Sequence, residues 1–441
     1  MFSFVRIIKE MKNILIAIIY LSFSIITKAQ EKDSLTLEER VKALESKTNG
    51  NEASVERINK LKITGYIQAQ YQVAQNDSIS SFSGGDFPGG IDKRFRVRRG
   101  RIKFTYDGNL TKFVFQMDAT EKGLGIRDAY IKVTEPWTQW FSLQAGVHDR
   151  PFGFEVGYSS SQFESPERGR MSQILFPDES DLGARLEINA PKTSPWNFLK
   201  LEAGFYNGTN PNSIDFDKYK DFIGRLSFIR TNKKETIKYS GGISYYSGGY
   251  RPGNNNLYTL QQLSSGDKGF LLTNTALTKG KREYWGADAQ LSFDNPIGYT
   301  TIRAEYIAGK HASTATKVIV PVTQPSGDTY LRNFDGSYLY YIQALGKSKN
   351  SIVVKYEWFN PNTKVDQSGI GVAGTKTSVA DIKFSTLGLG WMYRWDENVR
   401  FTLYYDIVKN ASTQLNLGKP QVNYTGDVKD NVLTIRVQFK F

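Results

Sequence analysis

The run Lys93-Arg94-Phe95-Arg96-Val97-Arg98-Arg99-Gly100-Arg101-Ile102-Lys103 sets seven basic side chains within eleven residues. On a strand with Phe95 and Val97 on one face, Arg96 and Arg98 take the other. With Ile102, Phe104 and Tyr106 outward, Arg101 and Lys103 share that inner face. The parity changes near Arg99-Gly100, which predicts a bulge at the glycine. Cations at every second position form a column of N–H donors. An anion moving along it exchanges hydration for charge-assisted hydrogen bonds in steps. Lys112, Arg127, Lys132, Arg185 and Arg225 extend the column onto neighbouring strands. Two arrangements fit these residues. The cations could pair with the inward acids Asp118, Asp128, Glu187, Glu202, Asp288, Glu305 and Glu357, as in a general pore. Alternatively, because strand 94–106 has no acid before Asp107, they form an exposed positive track.

A second group lies in the connection 150–180, where Arg150, Arg168 and Arg170 stand among Phe152, Phe154, Phe163 and Phe176. An aromatic-anchored loop folding inward would narrow a pore and bring Arg168 and Arg170 to the constriction. The other possibility is an outer lid.

Strands must position these groups. At the C-terminus Leu433, Ile435, Val437, Phe439 and Phe441 alternate with Thr434, Arg436, Gln438 and Lys440. Such a strand meets lipid on one face and water on the other. The same period of two recurs from Ile63 onward and gives sixteen strand cores, from 62–74 and 94–106 to 398–409 and 430–441. Their connections alternate between short ones, such as Asn295-Pro296-Ile297 and Asp396-Glu397, and long ones, such as 150–180 and 249–282. Residues 120–124 are the one brief member of the long class. Short periplasmic turns and long outer loops are the mark of an outer-membrane barrel. The expected fold is therefore all-β, a 16-stranded antiparallel transmembrane β-barrel over 62–441. The even count puts both barrel ends on the periplasmic side. A soluble sandwich shares the period of two, and a propeller would need a 40–50-residue repeat that is absent.

Bulk properties agree. The 441 residues are 39% hydrophobic, with 25 Tyr and 27 Phe, and mean hydropathy is −0.43, too polar for a helical membrane protein. With no cysteine, disulfides and thiol chemistry are excluded. Lys12, the apolar stretch Ile14–Ile26 and Thr27-Lys28-Ala29 read as a signal peptide over 1–29, with Met11 the more natural start. Without it, 53 basic side chains face 43 acidic ones, an excess that suits an anionic partner. Between them, residues 30–61 carry a heptad row through Leu37, Val41, Leu44, Thr48, Asn51, Val55 and Ile58. Asn49-Gly50 could divide it into two half-helices, or the segment could be a charged periplasmic linker.

Enzyme chemistry finds little support. The two histidines, His148 and His311, stand without a Gly-x-Ser-x-Gly elbow, a phosphate loop or a metal-ligand cluster. No cofactor is expected.

The chain resembles the phosphate-selective porins O and P. The resemblance is carried by Gln144-Ala145-Gly146, Arg150-Pro151-Phe152-Gly153-Phe154-Glu155, Phe163-Glu164 with Arg168, and Asp181-Leu182-Gly183. Ala203-Gly204-Phe205-Tyr206-Asn207-Gly208, Asp221, Gly224-Arg225-Leu226 and the terminal Phe441 add to it. It implies a homotrimer of sixteen-stranded barrels in the bacterial outer membrane, an inward third loop and an arginine ladder passing phosphate or other oxyanions. The expected function is passive diffusion of small anions, with outer-membrane lipid outside and no nucleic-acid partner. A non-specific porin and a non-conducting ligand-binding or adhesin barrel are the alternatives. Arg96, Arg98, Arg101, Lys103, Arg127, Arg168, Arg170, Arg185 and Arg225 are the expected anion-binding residues.

Overall fold

The computed structural model describes residues 37–441. The leader read over 1–29 lies outside the described residues. Helix α1, Leu37–Lys60, runs unbroken through Asn49-Gly50 rather than as two half-helices. Glu38 and Glu39 in its first turn complement the positive end of the helix dipole. Val41, Leu44 and Val55 leave an apolar row exposed.

Sixteen antiparallel wall strands are found among the described residues, in chain order around the barrel. They begin with β1 (Leu61–Ala74), β2 (Lys93–Asp107), β3 (Thr111–Thr120), β4 (Gly123–Thr134), β5 (Phe141–Asp149), β6 (Ser180–Asn189), β7 (Leu199–Tyr206), β8 (Asp221–Thr231) and β9 (Ile237–Tyr250). A hairpin, β10 (Leu257–Gln262) and β11 (Lys268–Asn274), stands in the following outer loop. The wall resumes with β12 (Gly280–Asn295), β13 (Gly298–Ser313), β14 (Thr329–Ala344), β15 (Asn350–Asn360), β16 (Phe384–Arg394), β17 (Val399–Asn410) and β18 (Val432–Lys440). Strand β9 pairs directly with β12, so the hairpin is an addition to the wall, and β10 lies parallel to the start of β14. Strand β1 pairs with both β2 and β18, which closes the cylinder and leaves no free edge. The last residue takes part: Phe441 N donates to Gly65 O at 3.0 Å and Gly65 N to Phe441 O at 3.1 Å.

The period of two sorts the side chains as expected. Ile243, Trp285, Leu339, Tyr356, Trp391, Ile435 and Phe439 are exposed on the outer face. Gln68, Arg185, Asp288, Thr434 and Arg436 are buried inside. An apolar belt around a closed barrel is the surface that an outer-membrane β-barrel presents to lipid.

Part of the interior is a packed core. Phe152, Val156, Met171, Ile174, Leu175 and Phe176 of the connection between β5 and β6 pack against Tyr206, Tyr246, Tyr284, Phe334, Tyr338 and Phe359 of the wall. The loop therefore lies in the lumen and is not an outer lid. Its apolar side fills the half bounded by β7 to β17.

Candidate functional site

The inward loop is held at several points around the wall. On one side, Tyr66 of β1 and Ser160 share a hydrogen bond at 2.6 Å, and Gln438 of β18 donates to Ser161 O at 2.9 Å. On the opposite side, Gly153 N donates to Ser244 of β9 at 3.0 Å. Glu305 of β13 accepts from Phe154 N and Glu155 N, each at 3.1 Å, and from the Tyr338 hydroxyl at 2.7 Å. The loop also carries a short helix, α2 (Arg170–Leu175). Glu155 caps it from within, accepting from Gly169 N at 3.0 Å and from the Ser172 hydroxyl at 2.6 Å. A carboxylate is favoured there by the free N–H groups and the helix dipole. Glycine at 169 gives the Glu357 carboxylate room, since a β-carbon would lie 2.6 Å from its Oε2 and push it aside.

Strand β2 faces this loop with its basic column. Gln68 is registered with Arg99 and Ala69 with Val97, so the extra residue is Arg98 and the bulge sits there, not at Gly100. The consequence is that Arg98 and Arg99 both serve the inner face, and Arg99 belongs to the site although the alternation passed over it. Arg94, Arg96, Arg101 and Lys103 share the face through their pairing with Gln72, Gln70, Tyr66 and Thr64.

The exposed positive track inferred from the acid-free strand is corrected by the neighbours. Arg96 Nε meets Glu121 at 2.7 Å, and Arg101 Nε meets Asp118 of β3 at 2.9 Å. Arg98 binds Glu167 of the loop through two nitrogens, at 2.7 and 2.8 Å. These acids come from adjacent elements, which the composition of one strand cannot reveal. Arg94 instead donates to Gln72 and to the carbonyls of Gly85 and Asp86, and no ion pair holds Lys103 among the described residues.

The other expected residues fall into separate groups. Arg127 pairs with Asp128 at 3.1 Å and Glu179 at 3.3 Å. Arg168 pairs with the same Glu179, donates to the Glu155 and Tyr158 carbonyls, and lies over the Phe163 ring. It knits the loop to itself. Arg170 turns the other way, between the Phe82 and Phe384 rings at 4.5 and 3.9 Å. Arg185 sits among Glu187, Glu202 and Asp149, where Lys132 and Lys200 also pair with Glu187. Arg225 is fixed to Asp288 by two hydrogen bonds. Arg436 is a further participant. It stands on the polar face of the terminal strand, and it donates to Glu167 at 2.9 Å.

Ionic side chains with residual exposure lie on the β2–β7 side, among them Arg98 (26%), Lys132 (26%) and Lys200 (36%). Toward the short-turn end a cavity of about 680 Å³ is lined by Lys349, Arg394, Arg400 and Lys440 together with Asp396 and Glu397. Both histidines are engaged in packing. His148 meets Tyr130 and Tyr206 edge-on, and His311 bonds the Tyr284 hydroxyl at 2.8 Å and Val318 O at 2.7 Å.

No protein-family model matches the chain, and no curated protein matches it significantly. Solved structures do. OprB of Pseudomonas putida is similar at 11% identity and a TM-score of 0.51, over 89% of this chain and 97% of that one. The outer membrane channel DcaP of Acinetobacter baumannii gives 11% and 0.48, over 86% and 97%. OmpT of Vibrio cholerae gives the same four values. Likeness at this identity concerns the fold, that of a porin-type barrel.

Proposed function

We propose that the chain is a passive outer-membrane channel for small anions, with phosphate or another oxyanion as its preferred solute. One observation carries this reading. On the inner face of β2 six cationic side chains stand against three carboxylates: Arg96, Arg98, Arg99 and Arg101 pair with Glu121, Glu167 and Asp118, while Arg94 and Lys103 have no ion pair among the described residues. The surplus leaves guanidinium donors to replace an anion's hydration shell in a low-dielectric passage. The packed core on the far side directs solutes along β2–β7, where Arg127, Arg185 and their neighbours continue the polar lining. The basic cavity at the short-turn end serves as the exit chamber. The phosphate-porin motifs support the oxyanion, and the exposed apolar row on α1 supports assembly of several copies, a homotrimer in that family.

Full pairing of Arg101, Arg127, Arg185 and Arg225 favours a second reading, a general pore with weak anion preference. Planar bilayers under a KCl gradient test both. An anion-favouring reversal potential supports the proposal, and a cation-favouring one rejects it. Absence of conductance points instead to a ligand-binding barrel. Millimolar phosphate should block chloride current in a selective channel, and Arg96→Ala with Arg98→Ala should weaken that block. A general pore shows no block to lose.

A further inference from the structure

Glu167 lies on the inward loop with its side chain only 5% exposed, and three guanidinium groups converge on it. Its Oε1 accepts from Arg98 Nε at 2.7 Å and from Arg436 Nη2 at 2.9 Å. Its Oε2 accepts from Arg98 Nη2 and from Arg99 Nη2, both at 2.8 Å. Four charge-assisted donors on two carboxylate oxygens form the geometry that also recognises phosphate, sulfate or a free carboxylate.

The charges do not balance. Three cations meet one carboxylate, and the remaining partners are neutral. Arg99 donates to Gln68 at 3.0 Å, and Arg436 donates to Gln70 at 2.9 Å and to Pro166 O at 2.6 Å. Asp118 is committed to Arg101 and Glu179 to Arg127 and Arg168, and Glu357, Asp406 and Asp430 across the adjoining cavity make no ion pair with the three arginines. Arg99 is 3% exposed, yet its Nε has no hydrogen-bond partner. Burying such charge without a counter-ion is costly, so the cluster is built to hold more anion than the chain supplies. Arg98 keeps one side open toward the passage.

We infer that Arg98, Arg99 and Arg436 form an oxyanion-binding site whose resting occupant is Glu167 of the chain's own loop, so that a permeating oxyanion and this carboxylate compete for it. The inference rests on the anion-channel reading above and gives that channel its main binding step. A small cavity of about 20 Å³ adjoins Glu167 and is lined by Arg168, Arg170 and Lys355 together with Glu357, Asp406 and Asp430. Lys355 pairs with Glu357 and Arg168 with Glu179, so the cation left beside a displaced carboxylate is Arg170, which has no ion pair among the described residues. The loop acts as a tethered counter-ion that keeps the site from holding a solute too long, which conduction requires.

Glu167→Gln removes the competing charge and keeps the shape. A tethered group acts at an effective concentration of millimolar or above, so the half-blocking phosphate concentration for chloride current should fall about tenfold or more. Arg436→Gln added to Glu167→Gln should raise it again. Barrel integrity is checked by heat-modifiable mobility on gels. Should Glu167→Gln fail to form a barrel, Glu167→Asp, which withdraws the carboxylate by one methylene, should give a smaller fall in the same direction. A folded, anion-selective variant with an unchanged or higher half-blocking concentration overturns the competition and leaves the channel reading standing. Cation selectivity in wild type and variant alike instead removes the channel reading itself.

Discussion

Gly153 is fitted to Glu305 so closely that a β-carbon on the glycine would overlap the Glu305 carboxylate oxygen. Its φ of +60° adds a second requirement, since side chains with a β-carbon rarely adopt it. This contact lets Phe154 N and Glu155 N reach the same carboxylate. Gly153→Ala should cost about 1–2 kcal/mol from backbone strain alone and should free the loop from β13. The variant is expected to form a barrel, with larger and noisier single-channel currents. Unaltered currents in bilayers would show that this anchor does not set the constriction.

Much of this arrangement was legible, and the misses have physical causes. Each of the sixteen strands was announced by a lipid face alternating with a wet face, down to Ile435 and Phe439 opposite Thr434 and Arg436. The β10–β11 hairpin escaped because strands outside the membrane are not held to that alternation. The basic column was visible as composition, but Glu167 arrives from a loop 69 positions away from Arg98. Pairing at that separation is a property of the fold. A bulge at Gly100 is what the sequence suggests, because glycine commonly marks one. In the structure that glycine instead allows close approach, since a β-carbon would lie 2.5 Å from Ala119 O.

Arg225 and Asp288 bridge β8 and β12 inside the wall, and the Asp288 side chain has no exposure to solvent. Arg225→Met strands that carboxylate without its cation and should destabilise the barrel by about 3–5 kcal/mol. Adding Asp288→Leu should recover most of the loss, because replacing both members of a buried pair with apolar groups is far less costly. Urea unfolding in detergent or lipid, followed by tryptophan fluorescence, measures both steps. Equal loss in the single and double variants would contradict the pairing.

Leu403 near the middle of β17 faces outward at 42% exposure, and its neighbour Thr402 points into the lumen. Arginine at Leu403 should cost about 2–4 kcal/mol if that surface meets hydrocarbon. Folding into liposomes across a denaturant series gives the number. A cost near zero would mean that this stretch of wall is wet.

Asp430 precedes β18 in an outer loop and shares the small cavity beside Glu167 with Arg170. Burial raises its carboxyl to about 6, against an opposing pull from Arg170. The folded chain thus binds this proton more tightly than the unfolded chain does. The group favours folding most below the ordinary carboxylate pKa, about 4, and the contribution fades as pH rises through 6. Charge in the lumen follows the same titration: at pH 7 Asp430 offsets part of the Arg170 charge, and at pH 5 it is largely neutral. Anion preference, read as reversal potential under a KCl gradient, should therefore increase between pH 7 and pH 5. Asp430→Asn should remove this group's share and make that step smaller. A step of full size in the Asn variant would assign the titration to another group.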